Sequence, residues 1–452
     1  MKYTIQTFGC AMNLSDSERV ASVLERLGYE ATTEKADVLV LNTCSVKQKA
    51  EDRVFGLRKI LKRLHDENPA LRIAVTGCMI RQTSTQKNLD EARDPLLDTM
   101  AEVDIAFRIE DVAQLPDLLK TVDPSLDFKD QIDEGELENY FKIIPTKSSS
   151  HSVFVPIMTG CDKFCTYCIV PFTRGREKSR DFKDIVAECE KHVREGALEI
   201  TLVGQTVNSY GLSFNDKKSG DFEAYGKTPF AALLCEVDKL YELGLRRLRF
   251  TSPHPRDFSD ELVQTLAALK TICPYIHMPI QSGDDRTLRR MNRNYRMPEY
   301  KEIMQKIQKA IPGCAISTDI IVGFSGETEE EFENTYRMYE TMEWDNCFSS
   351  RYSPRKGTYS ERTLKDDVPD DVKAERWHRL NALVKKISHK KHAAFVGKTV
   401  EALVTQQIGQ TCTGRTRDFK EIQFRSGRPL IGKLAEVKVT DVHDFLLKGE
   451  LA

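Results

Sequence analysis

One positional repeat limits how this chain can fold more than anything else in it. The strand-like runs YTIQTF, ADVLVLNTC and RIAVTGC lead into Cys10, Cys44 and Cys78, with 33 residues between consecutive cysteines. That is about the length of one strand, a crossover helix and a return strand. The intervening segments fit: Ser15 and Glu18 form a capping box ahead of a helical run ending near Gly28, and a charged amphipathic stretch runs from Val46 to about His65. Parallel strands so connected present their C-terminal ends along one edge, where open α/β sheets bind ligands. The three thiols are therefore expected to face one site. A single strand-end cysteine is usually a small buried hydrophobe. Three at matching ends leave two readings: inert thiols, or ligands of a [4Fe-4S] cube with one iron open.

At 452 residues the chain exceeds one compact domain, and the pattern along it predicts three. Residues 1–122 form the parallel βαβ domain, and the acid-rich, aperiodic stretch 123–150 reads as a linker. From 151 to 387 six strand signals alternate with helical ones: VFVPIM, LEITLVGQ, RLRFTSP, YIHMPIQ, ISTDIIVGF and NCFSSRYS. They predict a partial (β/α)6 barrel, since eight strands are not found. Residues 211–227 read as an inserted loop and 370–393 as a long charged helix. Residues 388–452 make up the last domain, and after Gly397 the pattern turns to short β pieces between Gly and polar turns, expected to form a small antiparallel β-barrel. The fold class is α/β with this β module appended.

Forty per cent hydrophobic and thirty per cent charged residues suit a globular protein and exclude large-scale disorder. No run approaches the ~20 apolar residues that span a bilayer, and the first ten residues do not resemble a leader, so a cytoplasmic protein with no membrane partner is expected. Twelve cysteines there favour metal binding over disulfides.

Cys161, Cys165 and Cys168 stand in GCDKFCTYC, on a loop after the first barrel strand. Three thiolates can ligate three irons of a [4Fe-4S] cube and leave the fourth iron open to chelate S-adenosylmethionine. A zinc loop would need a fourth ligand, and no neighbouring His or Cys supplies one at ordinary spacing. Gly204 and Gln205, Ser252, and Gln281 with Ser282 follow barrel strands and so belong at the mouth, where parallel barrels build their sites. Tyr167 can seat an adenine and Asp319 can reach a ribose or a main-chain group; loop caps and turn hydrogen bonds are the plainer roles for all of these. The basic strings TRGREKSR, with Arg174 and Arg176, and RRMNRNYR can meet phosphates or be solvated surface. In the terminal domain Arg415, Arg417, Lys420, Arg425 and Arg428 interleave with Phe419 and Phe424, a mixture that grips RNA or fills a core.

The strings GCAMNLSDSE, LNTCSVKQKAEDRV, VTGCM, GCDKFCTYCIVPFTRGREKSR and LVGQTVNSY make the whole chain resemble the methylthiotransferases, radical enzymes with an N-terminal cluster domain, a radical barrel and a C-terminal TRAM domain that binds RNA. The resemblance is strongest to the bacterial members acting on tRNA. It implies that Cys10, Cys44 and Cys78 bind an auxiliary [4Fe-4S] cluster and Cys161, Cys165 and Cys168 the radical cluster. It also implies two molecules of S-adenosylmethionine per turnover, one a methyl donor and one a radical source. The implied reaction places a methylthio group on C2 of N6-isopentenyladenosine at position 37 in the tRNA anticodon stem-loop, with a reductase or flavodoxin-type protein donating electrons. Sister enzymes that act on threonylcarbamoyladenosine or on a ribosomal-protein aspartate are the nearest alternatives. An iron–sulfur RNA-binding sensor without catalysis is the alternative from another class.

Overall fold

The computed structural model describes residues 1–45, 48–87, 93–128, 139–146 and 149–452. The chain forms two compact units. One comprises Met1–Ser148, Thr159–Asp162 and Cys168–Arg180; the other comprises Ser149–Met158, Lys163–Tyr167 and Asp181–Ala452.

In the first unit β1 (Lys2–Thr7), β2 (Val38–Thr43), β3 (Arg72–Gly77) and β4 (Ile105–Phe107) are parallel neighbours in that order, flanked by the short edge strands Glu30–Ala31 and Ser84–Thr85. VLVLNT is buried at every position, as a strand covered on both faces must be. Thr7 lies opposite Asn42 and Thr43 opposite Gly77, so the three strands end at nearly one level.

Helix α1 (Ala11–Arg26) starts ahead of the capping box expected at Ser15 and Glu18. Cys10, in extended backbone, is its N-cap, and the Asn13 side chain accepts from the Cys10 N–H. Ser15, Asp16, Glu18 and Arg19 are instead buried within the helix, and Arg19 donates to Ser15 Oγ. The amphipathic stretch divides into helices Gln48–Gly56 and Arg58–Glu67; Val46 and Lys47 lie outside the described residues. So do 129–138 and 147–148 of the expected linker. Its described part is not open chain throughout. Tyr140 is buried with its hydroxyl donating to Asp16 Oδ1, and Thr146 bonds both Glu18 O and Glu25. The Arg19 guanidinium of α1 lies 5.1 Å from the Tyr140 ring, and Phe141 is buried edge-on to Tyr140.

The second unit carries the six expected parallel strands in two sheets: β5 (Ser152–Pro156), β6 (Glu199–Val203) and β7 (Arg247–Phe250), then β8 (Tyr275–His277), β9 (Ala315–Val322) and β10 (Asn346–Arg351). Alternate residues divide cleanly. Ile200, Leu202, Leu248, Phe250, Ile276, Ile316 and Ile320 join the core shared with the outer helices. Their neighbours Glu199, Arg247, Arg249, Tyr275, His277, Ser317, Asp319 and Phe348 meet one another on the concave side. A closed eight-stranded barrel fills that space with branched apolar side chains; here it is polar. The 211–227 insertion is more ordered than a plain loop. Ser213 caps a short helix, Phe214–Ser219, and Phe222 and Tyr225 stack back on Tyr210 and Phe182. The long helix spans Asp370–Ala393 and packs on β10, where Trp377 Nε1 donates to Ser349 O.

The terminal module is a closed five-stranded barrel of β11 (Thr399–Ile408), β12 (Thr411–Thr416), β13 (Glu421–Arg425), β14 (Leu434–His443) and β15 (Leu446–Leu451). Phe424 belongs to its core with Val404, Cys412, Ile422 and Val437. Among the described residues no helix is long and apolar enough to cross a membrane.

Candidate active site

Cys44 and Cys78 directly follow β2 and β3, and Cys10 caps the helix that follows β1, so three adjacent parallel strands each deliver a thiol at their C-terminal end. The helix N-terminus at Cys10 favours negative charge there. Buried amides tie the loops together: Asn13 Nδ2 donates to Asn42 Oδ1 and Thr43 O, both at 3.0 Å, and Asn42 Nδ2 donates to Asn13 O at 2.7 Å. The Cys78 N–H donates to Thr43 O. Gly77 takes φ +95°, and a Cβ there would stand 2.2 Å from Thr43 O, so only glycine lets the chain turn into Cys78 beside β2. Cys44 and Cys78 are buried and Cys10 is exposed.

Arg174 completes this group. Its Nε donates to Cys78 Sγ at 3.4 Å and its Nη2 to Asp16 Oδ2 at 2.5 Å, while Nη1 is buried with no partner among the described residues. Burial opposes its charge, but Asp16 and Cys78 together hold its pKa well above the ordinary value. Burial pushes the Cys78 thiol up and Arg174 opposes that, so the site accommodates a thiolate once something binds it. Sequence patterning places Arg174 among RNA contacts; at 3 % exposure it is an inward residue instead, because its acid partner lies inside the same unit. Arg176 remains outside, its guanidinium mostly exposed and forked on Asp162.

Among the described residues no three His, Cys, Asp or Glu side chains close around a single point as they would for one ion. A cube of irons and sulfides takes each thiolate on a different iron and spreads them farther apart. The arrangement at Cys10, Cys44 and Cys78, with a helix N-terminus and an unpartnered guanidinium N–H, therefore fits an anionic cluster.

Within GCDKFCTYC, Phe164 adopts a left-handed φ of 47° just before Cys165. Arg293, 6 % exposed, donates from Nη1 to Cys165 Sγ at 3.2 Å, from Nε to Tyr295 OH at 2.9 Å and from Nη2 to Pro279 O at 3.0 Å. It comes from RRMNRNYR, a string whose charge is evident in the sequence but whose inward direction is not. Arg290 of the same string pairs with Glu331.

The candidate cofactor residues fall into two groups. Gln205, after β6, has a buried Oε1 with no partner among the described residues, an acceptor that a ligand can satisfy. Ser252 and Gln281 hold left-handed φ values of 55° and 74°, and with Phe164 and Asn292 they put four strained non-glycine positions in loops around the strand ends. Such strain, of order 1–3 kcal/mol each, concentrates at functional sites. The others have structural partners. Gly204 leaves room for Met158, whose Cγ would be 2.6 Å from an added Cβ. Ser282 is fully buried against Thr335, and Tyr167 meets the edge of Phe324. Asp319 Oδ2 lies 3.1 Å from His277 Nε2, while Gln281 bonds β9 through Asp319 O and the Ile321 N–H.

Arg415, Arg417 and Phe419, expected at RNA, sit where the small barrel meets the large one. Arg417 donates to the carbonyls of Arg246 and Ile272, Phe419 stacks on Tyr275 at 4.4 Å, and Arg415 and Arg249 cover the Phe419 ring at 4.3 and 5.1 Å. Arg247, from the concave side, forks Glu401 and reaches Arg415 O.

Three family models match: Radical SAM superfamily over residues 155–339, Uncharacterized protein family UPF0004 over 2–98, and TRAM domain over 393–452. The chain is 41 % identical over 455 aligned positions to a tRNA-2-methylthio-N(6)-dimethylallyladenosine synthase of Thermoanaerobacter sp. (strain X514), covering 99 % of this chain and 92 % of that one. A protein of the same name in Bacillus cereus (strain AH187) is 40 % identical, covering 100 % and 86 %. Among solved structures, the radical S-adenosylmethionine methyltransferase TsrM from Kitasatospora setae, with cobalamin and a [4Fe-4S] cluster bound, is similar at a TM-score of 0.53 and 13 % identity over 77 % of this chain and 74 % of that one. The apo cobalamin-dependent enzyme OxsB gives 0.51 and 13 % over 83 % and 56 %. These two likenesses concern fold alone.

Proposed function

Because the chain belongs to the family of tRNA-2-methylthio-N(6)-dimethylallyladenosine synthases, radical S-adenosylmethionine enzymes with a TRAM domain, we propose that it converts N6-isopentenyladenosine at position 37 of tRNA to the 2-methylthio derivative. The C2–H bond offers neither an acidic proton nor a leaving group, so side-chain acid–base chemistry does not reach it. The cofactors are [4Fe-4S] clusters, an auxiliary one among them, and S-adenosylmethionine; when bound they supply a radical able to take that hydrogen and a sulfur to put in its place.

The chain's own residues hold and orient. Cys10, Cys44 and Cys78 take the auxiliary cluster, with Arg174 donating to the Cys78 sulfur and offering a second N–H. Cys161, Cys165 and Cys168 take the radical cluster. Gln205 Oε1 and the strained Ser252 and Gln281 hold S-adenosylmethionine, with Tyr167, Gly204, Ser282 and Asp319 shaping the loops around it. Two molecules of it are consumed per turnover, one as methyl donor. The target base leaves the anticodon-loop stack to enter, as enzymes acting on a base require. Arg176, exposed on its loop, meets RNA phosphate. The electron donor is a reductase or flavodoxin-type protein, and the setting is the cytoplasm.

Three thiols on adjacent strand ends, in a chain alike along its whole length to these synthases, carry the reading. Its test compares the wild type with a Cys10→Ala, Cys44→Ala, Cys78→Ala variant, each reconstituted anaerobically. About eight irons per chain should fall to about four, with 5′-deoxyadenosine formation retained and 2-methylthio-isopentenyladenosine absent from the tRNA digest. About four irons in both proteins, or an unchanged tRNA beside a modified ribosomal peptide, would overturn it.

A further inference from the structure

We propose that Arg293 is a positioning residue that sets the reduction potential of the radical cluster, by holding a positive charge without a carboxylate partner, and an N–H···S bond, against the Cys165 sulfur. The inference rests on the reading above that Cys165 is a cluster ligand.

Three observations support it. The first is the charge balance. Among the described residues the partners of Arg293 are a thiol, a phenol and a carbonyl, and no carboxylate pairs with it. Arg174, at the other cysteine set, is neutralised by Asp16. A guanidinium buried to 6 % exposure is costly unless an anion faces it, and a thiolate-ligated cluster is such an anion. The second is mechanical. The turn after helix Asp285–Arg290 is fastened to the cysteine loop by Thr166 N–H to Met291 O, Thr166 Oγ1 to Arg290 O, and Asn292 Nδ2 to Phe164 O at 2.9 Å. The third is strain: Asn292 and Phe164 are both left-handed, at φ 55° and 47°, so the two loops are held in costly conformations at the point where they clasp. The guanidinium is thus fixed relative to Cys165 and does not merely lie near it. Cluster potentials follow net charge and hydrogen bonds to sulfur. The reduced cluster is one charge more negative than the oxidised, so a fixed cation favours it.

The test is an EPR-monitored redox titration of the full reconstituted chain, in which the radical cluster is recognised by the change in its signal when S-adenosylmethionine is added. In Arg293→Gln the ratio of reduced to oxidised cluster at a fixed potential should fall about tenfold, equivalent to about 59 mV for a one-electron couple, at wild-type iron content. Arg293→Lys keeps the charge and should titrate close to wild type. A Gln variant that titrates like wild type overturns the proposal, as do equal shifts in both variants or loss of the cluster from both. Full iron content in Cys165→Ala would instead sink the ligand assignment itself.

Discussion

Arg174 donates to the Cys78 sulfur and Arg293 to the Cys165 sulfur, both guanidinium groups being buried, and the two differ in what balances them. Arg174 reaches across 158 positions of sequence to Asp16, whose carboxylate is fully buried and also accepts from Tyr140. Removing one member of such a pair strands the other charge, which costs about 3–5 kcal/mol. Arg174→Gln should lower the stability of the first unit by that order in urea unfolding of the apo protein. Adding Asp16→Asn should restore part of the loss, because the stranded charge goes with it. A double variant no more stable than the single would mean that the ion pair is not what the unit depends on. The charge of TRGREKSR is plain in the sequence, but its direction is not. Spacing along the chain marks Cys10, Cys44 and Cys78 as a set, whereas nothing local marks Arg174 as the side chain that turns in among them.

At the scale of elements, the hydrophobic pattern located the six barrel strands, even the short Tyr275–His277, and the helix Asp370–Ala393. It missed the start of α1, where Cys10 and Asn13 do the capping and the Ser15–Glu18 pattern is a coincidence of packing. It also could not assign the turn after β12. Basic and aromatic residues there look like an RNA surface, yet Phe419 lies on Tyr275 and Arg417 on the carbonyls of Arg246 and Ile272, which lie just ahead of β7 and β8. Phe419 also holds φ 69°, so its ring is valuable enough to offset a left-handed backbone. Phe419→Ala should destabilise the second unit by about 2 kcal/mol through loss of the stack and the two cation–π contacts. Phe419→Gly should cost about 1 kcal/mol less, having no Cβ to strain. Thermal melts in which glycine is the worse substitution would show that the turn is unstrained.

Taken whole, the second unit is a half-barrel with a polar concave side, covered in part by the terminal β module through Arg247, Arg249, Arg417 and Phe419. Removing residues 398–452 should therefore lower S-adenosylmethionine cleavage and the melting temperature as well as tRNA binding, since Arg247 and Arg249 would lose their carbonyl partners. Charge reversal at Arg425 and Arg428, exposed and away from those contacts, should weaken tRNA binding alone and reduce its salt dependence by about two counterions. If truncation spared cleavage, the module would be only a tRNA handle. The strand-end cysteines bear on how the protein is made. Backbone ladders and the Asn13–Asn42 bonds set the places of Cys10, Cys44 and Cys78 before anything joins them. A zinc finger stays unfolded until its metal arrives, whereas this sheet is held by its own backbone ladders and buried amide bonds, so it would not need a cluster in order to fold. Cys10 is exposed while Cys44 and Cys78 are buried, so if the three hold a cluster as proposed, iron and sulfide arriving from solvent would meet Cys10 first.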